Sequence, residues 1–553
     1  MKQLLFLSII TQLFFITSFK ADGQNSAYSI QRADHLVHAH QQNQGPGLAI
    51  TVRQNGRVLY KQQQGFANLE HRIPVSDSTV FLVGSISKQF TTFSILLLEQ
   101  EGKLSIDDQV SKHLPELKSL EYPITLRQLA NHTSGFRNTY DLNNLRGRKD
   151  EELIGQKEMV ASLLRQKGLN FRPGERFQYS NSGYVLLAEI VSRISGLSFS
   201  DFVEERLLTP LGMRNTQFLE DPGTLVINKA DSYIKRGDAY HYIPMNRRIV
   251  GSTGLYTTSE DLSKWANNYD QHLVGSAVLS AKMVQPSLLN SGNQIPYGLG
   301  VETKMYKGVK VEFHGGGDAG FRAYLLRVPA HNFSVAVTGN YESFNPLNIA
   351  YGMIDIFLAE SLKKEPKLAP PTYTTKELER FTGVYQVFPG LYITTLAQND
   401  TLYFQAYGSE STLALPPLAE QQAFEFPDRP HSKIVFSDNG FRWHFSDFSY
   451  PAQKVTLSPP NYGEISLHDL VGTYNSEELE TSYSFVEQNG TLVATHALNP
   501  DITLRPIAQD AFISDQSYLG RVEFIRDNSG KVTHCLLSGQ TAFDLHFEKM
   551  TSQ

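Results

Sequence analysis

Past residue 376 the chain repeats itself. Phe381-Thr382-Gly383-Val384-Tyr385 returns as Leu470-Val471-Gly472-Thr473-Tyr474. Asn399-Asp400-Thr401-Leu402 returns as Asn489-Gly490-Thr491-Leu492, and Asp438-Asn439-Gly440 as Asp527-Asn528-Ser529-Gly530. The period is about 90 residues, far too long for a solenoid unit, so a whole domain is duplicated. Polar and apolar residues alternate in short runs, as in Thr401 to Tyr407 and Phe441 to Phe445. A period of two is the pattern of half-buried strands. The C-terminal region is therefore expected to be all-β, with one unit over 377–450, a proline-rich linker over 451–467 and a second unit over 468–553. Two small barrels and two halves of one larger barrel fit the repeat equally well.

Upstream the pattern is mixed. Lys363 to Lys367 and Ala369-Pro370-Pro371 carry no apolar period, which places a boundary near 365 and a linker over 366–376. Between 24 and 365, helical and strand patterns interleave. Leu48 to Arg53 and Arg57 to Gln63 read as strands joined by a hairpin at Asn55-Gly56, where both residues tolerate positive φ. Phe81 to Gly102 reads as a helix buried on most sides: Ile86, Phe90, Phe93 and Leu97 recur at three and four residues, and Leu96 and Leu98 widen the stripe. Residues 142 to 168 are charged and helical, and read as a peripheral lid or insertion. An α+β domain follows, an antiparallel sheet with helices on its faces.

The first residues read as an export leader. Lys2 is followed by a nearly apolar run from Leu4 to Phe19, and Ala21-Asp22-Gly23 offers a small-x-small cleavage site. The expectation is a leader over 1–23, a mature protein in the periplasm or outside the cell, and no membrane span after cleavage. The formal net charge is -6 and no basic run is long enough for a nucleic-acid surface. Cys535 is the only cysteine, so no intrachain disulfide can form. It lies in an alternating segment, where a small buried side chain is the simpler role.

Three polar constellations stand out against these elements. Ser85 and Lys88 lie three apart at the start of the buried helix, so hydroxyl and amine share a face. A shielded lysine there can lose its proton and accept one from the serine. Taken alone, the same residues are also what an N-cap and a solvated lysine look like. Tyr179 and Asn181 lie two apart on a turn feeding the buried pattern from Gly183 to Ile194. A phenol held near a lysine ammonium is stabilised toward phenolate and can shuttle protons; a core tyrosine and a turn asparagine are the plainer alternative. His314-Gly315-Gly316-Gly317 ends an alternating strand. Its glycines permit close backbone approach and can offer N–H groups to an oxyanion. His132, in Asn131-His132-Thr133-Ser134-Gly135, reads as a helix-end residue satisfying backbone groups.

In type and order, Ser85-x-x-Lys88, Tyr179-x-Asn181 and His314-Gly315-Gly316 resemble the three motifs of the serine β-lactamase superfamily, in its class C β-lactamase, D-aminopeptidase and carboxylesterase branch. The stretches Ile124 to Gly135 and Phe171 to Tyr184 also look typical of that branch. The resemblance spans about residues 28 to 360. It implies a β-lactamase/transpeptidase-like domain with an added all-helical subdomain. It implies Ser85 as nucleophile, Lys88 assisting its deprotonation, and Tyr179 as general base and proton donor to the leaving group. Asn181 would bond the substrate amide or the Lys88 head, and the amides of Ser85 and Gly317 would form the oxyanion hole. His314 stands where many members carry lysine, so weak selection for a substrate carboxylate is expected. The substrate expected is a small molecule or short peptide, cleaved at an amide, peptide or ester bond. The alternatives are a D-aminopeptidase, a DD-peptidase or β-lactamase proper, or a non-catalytic protein binding cell-wall or sugar ligands. Neither a cofactor nor a metal is expected, and HExxH, P-loop and G-x-S-x-G patterns are missing from the sequence. The C-terminal repeats resemble barrels that in some members close over the cleft.

Overall fold

The computed structural model describes residues 27–40, 44–149, 152–364, 368–427, 432–445 and 448–550. The leader expected over 1–23 and residues 365–367 at the expected boundary lie outside the described residues.

The first domain is built on a six-stranded antiparallel sheet. Glu302–Tyr306, Val309–Asp318, Phe321–Val328, Phe333–Gly339, Leu48–Gln54 and Arg57–Gln64 lie side by side in that order. Asn55 and Gly56 both take positive φ between the last two strands. Along Phe321–Val328, Ala323 and Leu325 enter one core while Tyr324, Leu326 and Val328 enter another. Burial of both faces explains why this strand reads as almost continuously apolar. Pro346–Phe357 and the helix over 27–38 cover one face through Ile349, Met353 and Val37. Ser87–Gln100 and Ser259–Gln271 cover the other, where Phe90 stacks on Trp265 at 4.1 Å between centroids.

A helical subdomain lies beside this sheet. Asn181–Ser195 packs against Ser87–Gln100, Leu126–Ala130 and Gln156–Leu164, burying Tyr184, Leu186, Leu187 and Ile190. The charged stretch read as a lid contributes two short helices, Thr139–Leu145 and Gln156–Leu164. Their Leu142, Leu145, Met159 and Leu163 are buried in the same core, so the stretch is a wall of the subdomain.

The C-terminal repeats form two separate units. The second is a closed barrel of eight strands, from Gly472–Ser476 to Leu545–Lys549. The first is an eight-stranded sheet running from Leu413–Leu415 to Ala423–Glu425, and a bridge between Pro417 and Phe424 links its two ends. The repeated motif serves the same purpose twice: Tyr385 donates to the Phe381 carbonyl and Tyr474 to the Leu470 carbonyl, both at 2.9 Å. Cys535 is fully buried inside the second barrel. That barrel does not stand apart, because Tyr483 and Leu492 share a continuous core with Leu142 and Leu145 of the helical subdomain. No helix among the described residues is long and apolar enough to cross a membrane.

Candidate active site

Strand Phe81–Leu82 pairs with Leu255–Thr257 and delivers the chain to a tight turn, Gly84–Ile86, from which Ser87–Gln100 continues. Ser85 sits on that turn. Strand Val309–Asp318 runs hard against it. A Cβ on Gly84, whose φ is +50°, would lie 2.7 Å from the Gly317 nitrogen. A Cβ on Gly316 would lie 1.9 Å from the Val83 carbonyl oxygen and 3.2 Å from the Ser85 nitrogen. Only glycine allows backbones so close. The contact brings the Gly317 amide to the turn that carries Ser85, where two N–H groups can meet one developing oxyanion. Gly316→Ala must push the strand off the turn. We expect acylation about 100-fold slower, since small misplacements of reacting groups carry penalties of that order. Stability should fall by about 1–3 kcal/mol. Burst kinetics and thermal melts measure the two.

Lys88 is entirely buried. Its Nζ lies 3.0 Å from Ser85 Oγ and donates to Asn181 Oδ1 and to the Ser252 carbonyl, both at 2.8 Å. Burial drives its pKa well below the ordinary 10.5, and the Asp318 carboxylate pulls it back only in part. Asp318 is itself paired with Arg247 and accepts from Thr253 Oγ1 at 2.8 Å. A neutral amine has two N–H donors and one lone pair. Asn181 and Ser252 take the donors, so the lone pair faces the Ser85 hydroxyl.

Tyr179 bonds the Ser85 side chain from the other side, and its ring lies 4.9 Å from Lys88 Nζ. Burial raises its pKa well above 10. The expected pull toward phenolate is therefore corrected: burial, the largest influence on the Tyr179 hydroxyl, opposes its ionisation, and the bond to Ser85 offsets this only in part. Asn181 begins its helix, and its own N–H donates to Asn138 Oδ1 at 3.2 Å.

Beneath Tyr179 lies a layer of rings. His132, at φ +61°, sits 4.2 Å from the Tyr179 ring centroid. The Ser180 N–H donates to its Nδ1 at 3.1 Å, so its Nε2 carries the proton and donates to Tyr297 Oη at 3.1 Å. The Tyr297 hydroxyl then donates to His314 Nε2 at 3.0 Å, and His314 Nδ1 donates to the Gly315 carbonyl at 2.6 Å. Each donor meets an acceptor only if both imidazoles are neutral. Burial is the main cause that holds His314 down to about 3 and keeps His132 well below 6.5.

Ser85, Tyr179, Asn181 and Gly317 meet at one cavity of about 320 Å³. The side chain of His314 does not reach it: the ring is 1% exposed and its nitrogens are committed to Tyr297 and Gly315. Gly315 and Gly316 lie in the backing strand, so the expected substrate contacts at 314–316 become structural ones. His132, just past the end of Leu126–Ala130, does satisfy a backbone group, the Ser180 N–H, and its ring also packs against that of Tyr179. Sequence reasoning missed Ser252, Tyr297 and Asp318. Glycines at both ends of Gly251-Ser252-Thr253-Gly254 were a visible sign that this loop approaches something closely.

Among the described residues, those lining the cavity all fall between 85 and 318. The second barrel acts from behind. Its loop over 539–544 bonds the wall segment Arg137–Asp141: Asn138 N–H donates to the Thr541 carbonyl at 3.1 Å, and Asp141 Oδ2 accepts from the amides of Thr541 and Ala542 at 2.5 and 3.0 Å.

The beta-lactamase family model matches residues 32–352. The chain is 23% identical over 525 residues to a D-aminopeptidase of Brucella anthropi, covering 90% of this chain and 94% of that protein. It is 29% identical over 300 residues to a D-aminopeptidase of Gluconobacter oxydans (strain 621H), covering 54% and 56%. Among solved structures it is similar to the octameric penicillin-binding protein homologue from Pyrococcus abyssi, with a TM-score of 0.53 and 25% identity over 78% of this chain and 99% of that one.

Proposed function

The chain belongs to the beta-lactamase family and is a serine hydrolase of that type, and from this premise we propose that it cleaves small amides or short peptides bearing an N-terminal D-residue, through an acyl-Ser85 intermediate. The observation that carries the reading is the 3.0 Å contact between Lys88 Nζ and Ser85 Oγ, made by an amine whose pKa burial drives well below 10.5. Lys88 takes the Ser85 proton as Oγ attacks the substrate carbonyl carbon. The carbonyl oxygen becomes the oxyanion between the Ser85 and Gly317 amides. Tyr179 gives its proton to the departing nitrogen, the C–N bond breaks, and the adjacent Lys88 ammonium returns a proton to the Tyr179 phenolate. Water then enters, and the same groups run in reverse to release the acid.

The D-residue part of the proposal draws on the D-aminopeptidase relative, which aligns along the barrels as well as the hydrolase domain. The cavity fits a small polar substrate: Asn138, Tyr140, Arg247 and Asp318 line it. A carboxylate-selecting DD-peptidase or β-lactamase is less favoured, because His314 presents no cation. The proposal includes export, on the strength of the apolar run from Leu4 to Phe19 ahead of Ala21-Asp22-Gly23.

Intact mass after a fluorophosphonate probe, together with rates on D- and L-alanine p-nitroanilide, a p-nitrophenyl ester and a chromogenic β-lactam, tests this. We expect one adduct on wild type, none on Ser85→Ala, and D-anilide cleaved at least about 100-fold faster than L-anilide, a discrimination of the size a shaped pocket supplies. No adduct would end the acyl-serine mechanism. Equal D and L rates would end only the stereochemical part.

A further inference from the structure

The last hairpin of the second barrel carries a cluster that the hydrolytic chemistry does not use. Its strands, Val532–Ser538 and Leu545–Lys549, are antiparallel, with His534 opposite Glu548 and Leu536 opposite His546. Strand periodicity sends Cys535 and Phe547 into the barrel and His534, His546 and Glu548 to its outer face. One ligand atom from each of these three residues lies within 4.8 Å of the other two. The two imidazole rings are 4.5 Å apart between centroids. His534 Nδ1 is engaged with Thr533 Oγ1 at 2.9 Å, which orients the ring and turns Nε2 outward.

We propose that His534, His546 and Glu548 bind a divalent transition-metal ion of the zinc class. Two imidazoles and a carboxylate are a borderline-soft donor set that suits zinc, copper or nickel over calcium or magnesium. Tetrahedral coordination at about 2.0–2.1 Å needs donors about 3.3 Å apart. The three donor atoms lie within 4.8 Å of one another on partly or fully exposed side chains, so binding would draw them closer. His546 and Glu548 also line one end of a groove of about 500 Å³ between the barrel and the hydrolase domain, shared with Asn475, Glu477 and Asp544. Water or a carboxylate from that groove would complete the shell.

The consequence is mechanical. A metal here cross-links both strands of the hairpin whose tip, residues 539–544, holds Asn138 and Asp141 behind the cavity. Occupancy should stiffen the barrel side of that contact.

Full-length protein stripped with a chelator is titrated with Co(II), followed by its visible absorption, and then with Zn(II) as competitor. Wild type should bind one equivalent with a tetrahedral Co(II) spectrum that Zn(II) displaces. His546→Ala and Glu548→Gln alter exposed side chains, so circular dichroism should be unchanged, while each should weaken binding by at least about tenfold. Zn(II) should raise the Tm of wild type and not of His546→Ala. The proposal is overturned if wild type binds no more tightly than a variant carrying both His546→Ala and Glu548→Gln. It is equally overturned if stoichiometry and spectrum survive both substitutions, since the ion would then sit on other histidines of the 16 in the chain.

Discussion

Lys88→Met should lower the acylation rate by about 10²- to 10⁴-fold, the range by which a positioned general base accelerates a reaction. Methionine matches the stem of lysine and suits a slot with no exposure to water. What it removes is the lone pair facing Ser85 Oγ and the two donors to Asn181 and Ser252. Those two acceptors then lose a buried partner at about 1–3 kcal/mol each. A thermal melt must therefore accompany the kinetics, and a folded variant with a 1000-fold slower fluorophosphonate adduct is the expected result. Fast adduct formation in a folded Lys88→Met protein would move the base elsewhere, with Tyr179 the remaining candidate.

The same argument sets the pH profile. Lys88 acts only when deprotonated, so kcat/KM should rise with pH through the Lys88 pKa and level off above it. Burial places that limb below 10.5. The falling limb belongs to Tyr179, which must keep its proton, and its pKa lies well above 10. His314 titrates at about 3 and His132 well below 6.5, so neither should add an inflection above pH 7. A profile that falls between pH 7 and 9 would contradict a neutral amine working beside a neutral phenol.

The parts of this site that the sequence discloses are those with rigid local geometry. Three residues of helical spacing place Ser85 and Lys88 on one face whatever surrounds them, and the observed 3.0 Å follows. The 90-residue repeat shows two all-β units, and the equivalent bonds of Tyr385 and Tyr474 explain why that motif recurs. The protonation states were not legible, because a pKa depends on burial and on partners distant in the chain. Nothing near Tyr179 in sequence indicates that Arg247 would neutralise Asp318 and leave Lys88 without a strong counter-charge. His314 misled for a related reason: a motif position indicates where a backbone goes, while the direction of its side chain was decided by Tyr297, a partner without any motif. The barrels were visible as strands, yet their placement rests on contacts such as Arg137 with Glu478, 341 residues apart.

Arg137→Ala should be the most damaging substitution outside the catalytic groups. The side chain is 5% exposed, wedged between the hydrolase domain and the second barrel. Its Nη1 donates to Glu478 Oε1 at 2.6 Å, Nε to the Phe543 carbonyl at 3.0 Å, and Nη2 to the Asp544 carbonyl at 3.1 Å. Alanine leaves the 8%-exposed Glu478 carboxylate without its cation, and breaking a buried pair from one side costs about 3–5 kcal/mol. Adding Glu478→Gln removes the stranded charge, so the double variant should regain part of the loss, which identifies the pair as the source. The neighbouring Asp141 contributes a separate pH dependence. Burial pushes it up to about 6 from an ordinary 3.8, so folding takes up a proton between those values and stability falls as pH rises through them. The kinetic outcome separates a buttress from a lid. Arg137 precedes Asn138, which holds the Asn181 amide on one side and the barrel loop on the other. Loosening this wall should lower kcat/KM on small and bulky substrates by similar factors. A lid over the cleft would instead release a size restriction, and bulky substrates would gain relative to small ones. Parallel losses on alanine p-nitroanilide and on a D-alanyl tripeptide would show that the second barrel acts on catalysis through the wall that positions Asn181.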